Sequence, residues 1–109
     1  MPRQARVGDM SKGHWKTVLG IPYYFPPTPL VTGTSDTMSS GKPCCRVSDQ
    51  AKPHVGHILG VPVPWIKHTP KALTGSSSTK INGLPAFRVG DRYDCGDTQA
   101  QGDSKNIVR

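Results

Sequence analysis

The chain offers four histidines and three cysteines as soft or borderline donors: His14, His54, His57, His68, Cys44, Cys45 and Cys95. Their placement becomes informative against a repeated tetrapeptide, Arg6-Val7-Gly8-Asp9, Arg46-Val47-Ser48-Asp49 and Arg88-Val89-Gly90-Asp91. His14 and His54 each follow their aspartate by five residues, His57 follows by eight, and Cys95 follows by four. Every copy of the signature therefore delivers a donor just downstream. If the copies surround a threefold axis, the donors converge on it. His14, His54, His57 and Cys95 then supply three imidazoles and one thiolate, a complete tetrahedral set for Zn2+. A site closed by four protein ligands leaves no position for water and is structural, not catalytic. His68 has no counterpart in the other copies and reads as a surface residue. It is the substitute donor should one of the four lie elsewhere. Cys44 and Cys45 occupy the places of Ala86 and Phe87 in the later copy and read as buried thiols acting as small hydrophobes.

Other chemistry finds little support. Asp9, Asp49 and Asp91 close the signatures that Arg6, Arg46 and Arg88 open, and an aspartate after glycine commonly accepts backbone bonds in its own turn. There is no GxSxG, P-loop or HExxH pattern, and no general base with a partner, so the chain is not expected to be an enzyme. The formal charge of +7 invites a nucleic-acid reading, but the Lys and Arg are scattered without a run, and no specific nucleic-acid partner is expected.

The elements that must place these donors are short. With 12 glycines and 11 prolines in 109 residues, a helix bundle is close to excluded. Only 34% of residues are hydrophobic, so the core is thin and calls for a staple. The length suits a single domain, residues 1–109. The stretch from Thr17 to Ser35 is uncharged, but Pro22, Pro26, Pro27, Pro29 and two glycines break it, which argues against a membrane span, and the opening MPRQARVGD lacks a signal-peptide core. Thr32 to Asp49 aligns without gaps on Thr74 to Asp91 at a constant offset of 42, whereas the first copy is cut short by the start of the chain. Asn82-Gly83 marks a type I′ hairpin between short strands, with Ser40-Gly41 as its weaker equivalent. Each unit is a hairpin that cannot bury a face alone, and two and a half of them close around a pseudo-threefold axis. Ile21 to Val31 and Val61 to Pro70 do not fit the hairpin and read as Pro-rich aromatic loops covering the core.

Together PxxARVGD at the start, GKPCCRVSD in the middle and KINGLPAFRVGDxxxCG near the end resemble the PAAR-repeat proteins. The signature stands here as Pro85-Ala86-Phe87-Arg88 and Pro43-Cys44-Cys45-Arg46, with Ala5-Arg6 remaining in the first copy. The resemblance implies an all-β, conical, pseudo-threefold domain of short hairpins with zinc at its apex, held by His14, His54, His57 and Cys95. It implies a structural tip for a contractile injection machine, a monomer by itself, seated as one copy on a trimeric β-helical spike protein and touching the target cell envelope transiently. The compact length leans toward a phage tail and hence a virion location. The alternative is a type VI secretion adaptor, made in the bacterial cytoplasm and secreted, carrying a non-covalent effector.

Overall fold

The computed structural model describes residues 2–108, and among them there is no helix. Eight strands form: β1 (His14–Val18), β2 (Ile21–Phe25), β3 (Met38–Ser39), β4 (Lys42–Pro43), β5 (His54–Ile58), β6 (Val61–His68), β7 (Lys80–Ile81) and β8 (Leu84–Pro85). The expected hairpins are β3–β4 around Ser40-Gly41 and β7–β8 around Asn82-Gly83. All four turn residues have positive φ, as a type I′ turn requires.

A closed ring of main-chain hydrogen bonds creates the axis. Ala5 N–H donates to Phe87 O, Phe87 N–H to Cys45 O, and Cys45 N–H to Ala5 O, at 2.9, 3.0 and 3.0 Å. A second cycle repeats one step along: Val7 N–H to Pro43 O, Val47 N–H to Pro85 O and Val89 N–H to Arg3 O, each 2.9 Å. The three units are thus complete. The front half that the sequence seemed to lack comes from the other end of the described chain, where Ile107 pairs with Arg3 and Asp103 N–H donates to Gln4 O. Gly33, Gly75 and Gly102 mark the same place in the three units. A Cβ on any of them would meet Val7, Val47 or Val89 Cγ2 at 2.9 Å or less.

Each Arg–Asp signature closes on itself. The Asp9, Asp49 and Asp91 carboxylates accept from the backbone N–H of Arg6, Arg46 and Arg88 at 2.9, 2.7 and 2.9 Å, and each also pairs with its own guanidinium. These aspartates are buried turn anchors. The core beside them contains Ala5, Leu30, Cys45, Ala51, Ala72, Phe87 and Tyr93. Cys44 and Cys45 are buried thiols, as expected, and burial pushes both up from the ordinary thiol range.

The two Pro-rich segments contain strands in place of the expected loops, and residues 26–31 of the first form only isolated bridges at Pro29 and Leu30. Ile21–Phe25 is β2 and most of Val61–Pro70 is β6, in an antiparallel sheet of order β1-β2-β5-β6. Pro22 lies opposite Thr17, and Pro62 opposite His57. Leu19-Gly20 and Leu59-Gly60 make the two tight turns, again with positive φ throughout. A leucine held there costs about 1–2 kcal/mol relative to right-handed backbone. Neither small hairpin packs on this sheet, and the whole molecule, sheet included, measures 40 × 24 × 22 Å.

Because Phe87 is fully buried on the axis, Phe87→Ala is expected to lower unfolding free energy by about 3–5 kcal/mol. Urea denaturation followed by circular dichroism measures this. Trp65→Ala, at an exposed position, should leave the midpoint nearly unchanged.

Candidate metal centre

His14 opens β1, His54 opens β5 and His68 closes β6, so three of the four strands of the sheet present an imidazole at one end. Register explains the last two: His54 is the cross-strand partner of His68. Cys95 arrives on a turn of the body in which Gly96 N–H donates to Tyr93 O and Tyr93 N–H donates to Asp97 O. One donor atom from each of His14, His54, His68 and Cys95 lies within 4.8 Å of all the others.

The structure therefore brings three of the four anticipated donors together and replaces the fourth. His57 stands away from the cluster, with Nδ1 3.0 Å from Val55 O and Tyr24 across the strand. The physical reason is strand parity. Residues three apart in a strand face opposite sides, so His54 and His57 cannot share a site while both lie in β5. His68, read from sequence as a surface residue, takes the place.

The donor atoms fit a cation. His54 Nδ1–H donates to Pro26 O at 2.8 Å, which leaves the Nε2 lone pair directed into the cluster. His68 Nε2 lies only 2.7 Å from it. Both nitrogens of His14 are buried without a hydrogen-bond partner, as is Oδ2 of Asp97. That oxygen lies 3.6 Å from His14 Nδ1, while Asp97 Oδ1 accepts from Thr98 N–H at 2.7 Å. A carboxylate behind an imidazole fixes the ring's orientation and leaves Nε2 to bind. Phe25 packs against all three rings, 5.0 Å from His14, 5.1 Å from His54 and 4.5 Å from His68. Burial lowers the pKa of His14 despite Asp97, and burial with the neighbouring imidazoles pushes His68 down to about 4. Burial raises the Cys95 thiol. Neutral imidazoles are ready to ligate, whereas the thiol needs the charge of a bound ion to release its proton.

A small all-β domain with pseudo-threefold main-chain closure and a three-histidine, one-cysteine cluster is the class of protein that these features define. The chain matches the family model described as PAAR motif over residues 25–101, and it belongs to that family. Proteins of this family are structural spike tips of contractile injection systems rather than enzymes, and they cap spike proteins. No curated protein matches the chain.

Three outcomes follow from the geometry. His68→Ala should abolish stoichiometric metal binding and His57→Ala should retain it, as read by elemental analysis and by the thiolate absorption of the Co2+ form. Asp97→Asn should weaken metal affinity by about 10–100-fold in chelator competition. In metal-free protein, His68 binds a proton more readily unfolded, near its ordinary 6.5, than folded, near 4. Stability should therefore be fully present above pH 6.5 and fall as pH drops toward about 4, with His68→Phe flattening that slope.

Proposed function

We propose that this chain is the tip of a contractile injection spike, seated as one copy on the end of a trimeric β-helical spike protein and driven into the target envelope. The observation that carries this reading is the closed ring through Ala5, Cys45 and Phe87. It gives one chain three equivalent faces, which is the condition for a single copy to match a threefold platform. Three equivalent strand positions, Met38, Lys80 and Ile107, lie at the hairpin end of the body, and Met38 and Ile107 expose large apolar side chains there. Short strands at that end offer main-chain groups for continuing a β-helix.

The ion we propose is Zn2+, held by His14, His54, His68 and Cys95. Three imidazoles and a thiolate suit zinc in a closed tetrahedral set. It acts as a staple for a domain with little core. We further infer that the machine is a phage tail and that the protein is a virion component, acting as one domain.

Native mass spectrometry after co-expression with a trimeric β-helical spike protein from the same genome tests the assembly. One copy per trimer, lost on Met38→Asp/Ile107→Asp, is the expected result, and three copies or none overturns it. Detection in purified tails supports the phage assignment. Detection instead among proteins released by a type VI apparatus overturns that assignment alone.

A further inference from the structure

The four-stranded sheet carries more exposed apolar surface than the metal site below it requires. Leu19 and Leu59 are 97% and 99% exposed, at the tips of the two turns. Elsewhere the same turn is built with Asn82-Gly83 and Ser40-Gly41, whose polar residues tolerate positive φ in water. At the sheet tip the chain twice places leucine in this unfavourable conformation and buries nothing with it. Folding gains nothing from that choice, so the side chains need a medium outside the protein. Ile21 and Val61 follow the turns and are also exposed. An apolar groove of about 570 Å3 between the hairpins, lined by Trp15, Ile21, Tyr24 and Leu59 among others, continues the same surface.

Charge indicates which medium. No Asp or Glu occurs between residues 10 and 35 or between 50 and 90. The sheet strands themselves contain two charged residues, Lys16 and Lys67, both exposed. Trp15 and Trp65, 69% and 79% exposed, stand on the same strands. Apolar tips, exposed tryptophans and lysines on strands that carry no acid match a bilayer with anionic headgroups, the nearest carboxylates, Asp94 and Asp97, lying by His68 and His14 at the foot of the sheet. The edges of the sheet argue against a second protein chain adding to it. Edge strand β6 carries Pro62, Pro64 and Lys67, and edge strand β1 carries Lys16, devices that discourage strand pairing.

We propose that the Leu19-Gly20 and Leu59-Gly60 turns insert into the interface of an anionic lipid bilayer at equilibrium, without applied force, with Lys16 and Lys67 contacting headgroups. This goes beyond the spike-tip reading, because it assigns lipid affinity to the isolated chain and needs no spike partner.

The test uses the metal-loaded full chain with vesicles of equimolar phosphatidylglycerol and phosphatidylcholine. The chain's two tryptophans both lie in this sheet, so their emission reports directly. A blue shift and co-sedimentation are expected, weaker on pure phosphatidylcholine and weakened by salt. Leu19→Asn/Leu59→Asn suits the turns better and should fold at least as well, yet reduce partitioning by about a hundredfold, an order of magnitude per leucine. Lys16→Gln/Lys67→Gln should remove most of the salt dependence. Absence of binding to either vesicle, or equal binding by the asparagine variant, overturns the proposal. So does self-association of the wild type that the asparagine variant abolishes without any vesicle binding, since the sheet would then be a protein interface. Failure to bind a spike trimer leaves this result untouched, and the converse also holds.

Discussion

The three-membered main-chain ring through Ala5, Cys45 and Phe87 is the constraint from which the rest of the molecule follows. Three equivalent positions on one axis cannot all hold large side chains, because they compete for the same volume. The chain resolves this by asymmetry: Phe87 fills the axis, while alanine and cysteine make room for it. The next layer repeats the device, with Ser11, Ala51 and Tyr93 at equivalent places and the Tyr93 ring packed 5.0 Å from Phe87. The layer of Leu30, Ala72 and Gln99 does so again, and Gln99 accepts the otherwise orphaned Tyr93 hydroxyl. The backbone is threefold and the core is not. That is how so little hydrophobic content fills the cluster on the axis, while Cys44, Ile81, Ala86 and Val108 form a second, smaller one.

The same closure sets the metal cluster. His14 and His54 occupy equivalent positions of two units, and Cys95 falls one residue short of the equivalent position in the third. The fourth donor comes from outside the repeat. Phe25 and His68 each close their own hairpin, opposite His14 and His54 respectively. The pseudo-symmetry again breaks into one hydrophobic and one functional partner, and the phenyl ring dries the site that the imidazole completes.

Much of this was legible in the residues. The gapless repeat gave the threefold closure, and Asn82-Gly83 and Ser40-Gly41 gave the hairpins. His14, His54 and Cys95 followed from alignment of the signatures. Two things were hidden. The third unit is split between the ends of the described chain, so its front half, around Gly102 and Asp103, has too little signature left to read. Prolines disguised β2 and β6 as loops, although the Leu-Gly dipeptides flanked by Ile and Val were hairpin signals with an unusual first residue. Strand parity separates His57 from His54. The place of His68 is less legible. A regular hairpin around Leu59-Gly60 sets Trp65 opposite His54, and His68 reaches that place only because β6 carries three more residues than β5 between the flanking pairs, Val55 with Lys67 and Gly56 with Val63.

The position of the cluster has a mechanical consequence. It lies at the foot of the sheet, where His14, His54 and His68 end three of its four strands and Cys95 belongs to the body. Force on the turn end of the sheet reaches the body through a few peptide segments and through whatever joins these four side chains. Hydrophobic contact there, chiefly Phe25 against the three rings, is non-directional and resists shear poorly. Coordination bonds are directional, and an ion held by these four donors would tie the strands to one another and to the body at a single point. If the sheet meets lipid first, as proposed, then, blocked at its edges and apolar at its turns, it needs such a joint behind it. On this reading a bound ion would do more than offset a thin core: it would join the four-stranded sheet to the threefold body at one point.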